Sequence, residues 1–106
     1  MTIAARPMDA LPHFELGYAY SQLQRNAEAE TEFRRALALN DQLGAAHLNL
    51  GLLLRETDPA SAAASFLRAA ELMPGESRPH YLAGNALEQT GKLAEAIAEY
   101  RTAISF

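Results

Sequence analysis

PHFELGYAY at residues 12–20, AHLNLGLLL at 46–54 and PHYLAGNAL at 79–87 are three versions of one phrase. Each holds one of the chain's three histidines, His13, His47 and His80, followed four residues later by Gly17, Gly51 or Gly84. Either the histidines converge on shared chemistry or they mark the period of a repeat, and positions outside the phrase decide for the repeat. The histidines recur after 34 and then 33 residues, and Phe33, Phe66 and Tyr100 recur with them as one aromatic position. Ala29, Ala62 and Ala96 precede that aromatic by four residues, and Ala36, Ala69 and Ala103 follow it by three. Spacings of three and four put these residues on one helical face, where small side chains let a second helix approach closely. The middle connection, RETDPA at 55–60, is one residue shorter than its equivalents.

The pattern resembles the tetratricopeptide repeat, a helix-turn-helix unit of about 34 residues with Leu-Gly and Tyr, then Ala, Phe, Ala and Pro at fixed offsets. Leu16-Gly17 with Tyr20 matches the first-helix pattern, and Leu50-Gly51 with Leu54 and Ala83-Gly84 with Leu87 match it with apolar replacements. Pro74 fits the closing proline, and Asp41 stands in its place after the first unit. The resemblance implies an all-α, right-handed α-solenoid of three repeats and six antiparallel helices. A domain over 10–106 is expected, with repeats near 10–43, 44–76 and 77–106, the last incomplete, and an N-terminal extension over 1–9.

Local signals place the helices near 10–24, 27–39, 43–56, 59–72, 77–90 and 93–105. Asp58-Pro59 is an N-cap followed by a proline at the first helical position. Ser77 is a candidate cap for the fifth helix, and Gly91 can end that helix in a left-handed turn.

Composition agrees and excludes several function classes. Alanine occurs 22 times and leucine 16 times against five prolines and six glycines, a strong lean toward helix. A net charge of -4 with no basic stripe argues against nucleic acid. No apolar run approaches the roughly 20 residues of a membrane-spanning helix, so no membrane partner is expected. The absence of cysteine excludes disulfides, thiolate metal sites and cysteine nucleophiles. A cytoplasmic location is favoured, and the Ala-, Leu- and Arg-rich composition suits a bacterial source.

A shared metal site fails on geometry. Zinc holds imidazole nitrogens at about 2.0–2.1 Å, whereas helix axes pack about 8–10 Å apart, so histidines on successive first helices form a ladder too wide to share an ion. The expected role of each imidazole is to fill the seam between paired helices. No GxSxG, HExxH, P-loop or dinucleotide glycine pattern is present. The chain is therefore read as a non-enzymatic module with no cofactor and no metal.

The first helices carry a second row at i, i+3, i+7 and i+10: Leu11, Phe14, Tyr18 and Ser21 in the first unit, Ala45, Leu48, Leu52 and Arg55 in the second, Arg78, Tyr81, Asn85 and Glu88 in the third. The resemblance implies that these rows line the concave face of the superhelix. Phe14, Tyr18, Leu48, Leu52 and Tyr81 then form a groove for an extended or helical peptide of a partner protein, with Asn49, Arg78 and Asn85 as orienting groups. One subset of the family clamps acidic C-terminal tails through lysine, arginine and asparagine. Asn49 and Arg78 fall at two clamp places, but Phe14, Tyr18 and Leu82 occupy the others, and one cation in place of three argues against carboxylate-tail recognition.

The second helices carry charge on a solvated face. On the last of them Ile97, Tyr100 and Ile104 form an apolar row that the first helix of a further unit would cover. The alternative function is accordingly a scaffold or self-assembly segment of a larger protein, one fused to a catalytic domain such as a glycosyl- or sulfotransferase being an example. In that reading the chain forms a homo-oligomer through its terminal helices, by way of Ile97, Tyr100 and Ile104.

Overall fold

The computed structural model describes residues 9–106, so the expected extension over 1–9 lies, except for Asp9, outside the described residues. Six helices follow one another: α1 (Ala10–Gln22), α2 (Asn26–Leu39), α3 (Gly44–Leu54), α4 (Pro59–Leu72), α5 (Arg78–Gln89) and α6 (Leu93–Ile104). Every terminus falls within two residues of the position expected from sequence. Among the described residues there is no strand. Consecutive helices pack on one another, and the body is elongated, 52 × 26 × 18 Å, as a stack of helix pairs requires. The fold is an all-α tetratricopeptide solenoid.

The glycines of the repeated phrase explain the aromatic position. A Cβ on Gly17 would lie 2.8 Å from Phe33 Cδ1, one on Gly51 2.6 Å from Phe66 Cε1, and one on Gly84 2.6 Å from Tyr100 Cε1. Each aromatic ring thus lies close against the backbone of its partner helix, a contact that only hydrogen at Cα permits. Phe33 and Phe66 are fully buried there, and the alanines three and four residues away bring the helices together around them. One apolar cluster runs from Ala29 and Phe33 through Leu50, Phe66 and Leu82 to Ala96, joining all three units.

The units differ at their inner turns. In the first, Gln24 takes a left-handed conformation (φ 61°), and in the third Gly91 does so (φ 81°) at the equivalent place. Both turns close by a bond from the following N–H back to the carbonyl five residues earlier, Arg25 to Tyr20 (3.0 Å) and Lys92 to Leu87 (2.9 Å). The residue missing from the middle unit is this left-handed one. There the Asp58 N–H donates to Leu54 O at 2.7 Å, four residues back, and no left-handed residue is needed. Asp58 then caps α4 by accepting the Ser61 N–H at 3.2 Å, with Pro59 in the first turn. Ser77 sits at the N-cap position of α5 but makes no side-chain cap bond, because its backbone is already helical (φ -82°, ψ -27°) and the hydroxyl does not reach back over the first turn.

The stacking between units is uneven. α5 packs on α4 over a broad face, whereas α3 touches α2 less extensively. On α4 that face carries Ala63, Leu67 and Ala70; on α2 the equivalent positions are Glu30, Arg34 and Leu37. Glu30 and Arg34 pair with each other at 2.9 Å on the helix surface, which keeps part of the face solvated.

Candidate functional site: a groove along the first helices

Two clefts open at the C-terminal ends of the first helices and meet at one point. The first, about 450 Å³, is lined by Arg55 and Glu56 beyond α3, Phe66 of α4, and Leu82, Asn85 and Glu88 of α5. The second, about 460 Å³, is lined by Ser21 of α1, Leu52 and Leu53 of α3, and again Arg55 and Glu56. Arg55 and Glu56 belong to both, so the clefts form one interrupted groove that crosses all three units. Neither residue makes an ion pair among the described residues, which leaves a positive and a negative side chain at the crossing point, both exposed.

The expected groove residues divide into four groups. Leu52 and Asn85 line the clefts. Tyr18 and Tyr81 are exposed, each one turn before a cleft residue of its own row, Ser21 and Asn85 respectively. Phe14, Leu48 and Asn49 are turned elsewhere. Phe14 is half-buried with its ring 5.8 Å from that of Phe33, and Leu48 packs on the core cluster. The Asn49 amide donates to Ala45 O of its own helix at 2.8 Å. Arg78 is exposed at the start of α5, away from the cleft-lining residues. Ser21, Arg55 and Glu88 end the three second rows and line the groove; the row spacing contained them, but the expected site stopped one turn short of them.

The third unit ties its groove residues to its core. The Tyr100 hydroxyl donates its single hydrogen to Asn85 Oδ1 (2.6 Å) or Glu88 Oε1 (2.8 Å), and its ring lies 6.0 Å from that of Tyr81. Burial, reinforced by the Glu88 carboxylate, pushes the phenol up to about 12. Tyr100 was expected on the open face of the last helix with Ile97 and Ile104; it is half-buried against α5, while Ile97 and Ile104 are exposed.

The histidines take separate partners. His13 Nδ1 is 2.7 Å from Glu32 Oε1, and His80 Nδ1 is 2.8 Å from Glu99 Oε1, each spanning the two helices of one unit. The middle unit has Ser65 at the corresponding place, and His47 Nε2 instead lies 3.0 Å from Asp41 O. Glu32, only 7% exposed, is held on its other oxygen by Arg35 Nη1 at 2.8 Å. Among the described residues no group of three or more acidic or histidine side chains could hold a metal ion. A third cleft, about 510 Å³, lies on the second-helix side between α4 and the last unit, floored by Ala64, Leu67 and Ala70. Its polar edge is the His80–Glu99 pair, already bonded internally.

Comparison with known proteins decides the family: a tetratricopeptide repeat model matches residues 52–105, and a second matches 10–43. The chain belongs to the tetratricopeptide repeat family. Protein O-mannosyl-transferase Tmtc1 of Drosophila melanogaster is 38% identical over 90 residues, 83% of this chain. The chain spans only 10% of that transferase's length. Among solved structures, MamA superposes with a TM-score of 0.84 at 26% identity, over 91% of this chain and 57% of the MamA chain. The second TPR of Spaghetti (RPAP3), bound to the HSP90 peptide SRMEEVD, also gives 0.84, over 92% of each chain at 18% identity, a likeness of fold alone. No helix among the described residues of this tetratricopeptide protein is long and apolar enough to cross a membrane.

Proposed function

We propose that residues 10–106 act as one non-catalytic interaction domain that binds a peptide or helical segment of a partner protein in the groove along α1, α3 and α5. The observation that carries this reading is the meeting of two clefts at Arg55 and Glu56. Two neighbouring clefts of about 450 and 460 Å³ that share Arg55 and Glu56 accommodate several side chains of an extended segment, which no single cleft of that size would. Leu52 and the Tyr18 and Tyr81 rings supply apolar and amphipathic surface, and Arg55, Glu56 and Asn85 supply orienting groups. The domain of RPAP3 that shares this fold holds its peptide as a tetratricopeptide domain, which supports the same mode here. Its peptide is acidic, whereas the groove of this chain presents Arg55 beside Glu56 and Glu88, so a ligand carrying both signs of charge suits it better than an acidic tail.

The test is selection from a random-peptide library displayed on phage, followed by calorimetric titration of the selected peptides. Binding should weaken at least about tenfold in Tyr18→Ala/Tyr81→Ala and in Arg55→Glu. Peptides that bind all three proteins equally would place recognition elsewhere.

A second reading is supported by the Tmtc1 match, in which a chain of this size corresponds to a tenth of a transferase. In that reading the repeats are a scaffold segment of a larger protein with a catalytic domain. An immunoblot of the source cell separates the two: a band far above 11.5 kDa supports the scaffold, and a band at that mass removes it.

A further inference from the structure

The two clefts of the groove differ in charge. Arg55 and Glu56 line both and cancel formally, so the remaining residues decide the sign of each. Beyond that pair, the cleft on the α1 side has only neutral groups, Ser21, Gln24 and Asn26 among them. The cleft between α3 and α5 has Glu88, which leaves it net negative. Its floor is apolar: Phe66, Leu82 and Ala86 line it although they are 1%, 5% and 1% exposed.

The rim of that cleft is rich in hydrogen-bond acceptors and short of donors. Asn85 Oδ1 and Glu88 Oε1 lie 2.6 and 2.8 Å from the Tyr100 hydroxyl, which has one hydrogen to give. Whichever oxygen takes it, the other goes without, and Glu56 makes no ion pair among the described residues. An acidic side chain entering here would meet the carboxylates of Glu56 and Glu88. A purely apolar one would cover acceptors without supplying the hydrogen they need, which costs affinity. A side chain with an apolar stem and a cationic head made only of donors satisfies both floor and rim.

We propose, building on the peptide-binding reading of the groove, that the cleft between α3 and α5 is the subsite for an arginine of the bound segment, with its stem on Phe66, Leu82 and Ala86 and its guanidinium shared between Glu56 and Glu88. Arginine suits the rim better than lysine, because its planar fork of N–H groups serves separate acceptors at once, whereas an ammonium is a compact point charge. Arg55 is then left for an acidic group of the same mixed-charge segment over the neighbouring cleft.

Peptides selected on the wild-type chain from a random library displayed on phage provide the probe. Those weakened by Tyr18→Ala/Tyr81→Ala or by Arg55→Glu are seated in the groove, and they should share an arginine. In calorimetric titration, replacing that arginine by citrulline keeps its shape and removes its charge. The change should weaken binding at least about tenfold to wild type and less than about twofold to Glu56→Gln/Glu88→Gln. Both substitutions fall on exposed positions, and glutamine at 88 keeps an acceptor for the Tyr100 hydroxyl, so circular dichroism should show an intact fold. Groove-seated peptides without a shared arginine, or a citrulline penalty equal in both proteins, would overturn the arginine subsite and leave the groove standing. Peptides indifferent to both Tyr18→Ala/Tyr81→Ala and Arg55→Glu would overturn the groove and the subsite together.

Discussion

Tyr100 Oη sits 2.6 Å from Asn85 Oδ1 and 2.8 Å from Glu88 Oε1, so the aromatic that packs the third unit also fixes two side chains of the groove. Phe33 and Phe66 hold the equivalent places without a hydroxyl. The third unit is thus the one in which core packing and groove geometry are chemically coupled.

That coupling has a pH signature. An ordinary tyrosine titrates near 10, and the Tyr100 phenol is pushed up to about 12 by burial and by Glu88. Between those values the unfolded chain has lost the proton that the folded chain keeps. Its contribution is therefore complete below pH 10 and is lost as pH rises toward 12. Tyr100→Phe, which recreates the residue of the other two units, should keep the fold and flatten the fall in Tm between pH 9 and 11. Parallel Tm curves for the two proteins would contradict the assignment.

The glycine contacts make a second prediction. Alanine at Gly51 gains about 1 kcal/mol of helix propensity, but its Cβ would stand 2.6 Å from the fully buried Phe66 ring, which has nowhere to go. Overpacking of this kind costs roughly 1–3 kcal/mol. Gly51→Ala should lower the Tm despite the better helix former, and Gly84→Ala should lower it less, because the half-buried Tyr100 ring can shift outward. Urea titrations of both variants give the order.

The inner turns supply a matched pair of opposite sign. Gly91 is left-handed with nothing within 4 Å of the position a Cβ would take, so Gly91→Ala is destabilising through its backbone alone, by about 1 kcal/mol. Gln24 bears the same strain in the first unit, and Gln24→Gly should relieve a similar amount. Equal signs for the two in chemical denaturation would show that these turns are not equivalent.

The middle turn responds to acid instead. The Asp58 carboxylate is held below its usual range by the Ser61 side chain and by the Ser61 N–H it accepts, so the cap is complete above the ordinary aspartate pKa and is lost as pH falls through the depressed one. Asp58→Asn can cap without a charge. Its Tm should fall less steeply than wild type below pH 4, as thermal melts at matched ionic strength would show.

The six helices and the aromatic ladder were legible because period, turn residues and small-residue spacing all pointed the same way. The groove was only half legible. Apolar residues at i, i+3 and i+7 serve equally to pack on a neighbour and to line a cleft, and the row from Phe14 to Ser21 does both, with Phe14 on the Phe33 ring and Ser21 in the groove. Tyr100 shows the same ambiguity on α6: a stripe of residues 97, 100 and 104 is wide enough for one edge to face α5 while the other stays open. The Glu32 and Glu99 partners of the histidines were present in the sequence as a repeated 19-residue spacing. They resemble surface charges until the helices are paired.

The most direct measurement of the groove is a backbone-amide NMR titration with a peptide selected for binding. Shift changes should concentrate on Ser21, Leu52, Arg55, Asn85 and Glu88, with Tyr18 and Tyr81 beside them. Changes confined to the second helices, or to Ile97 and Ile104 on α6, would contradict a groove along the first helices.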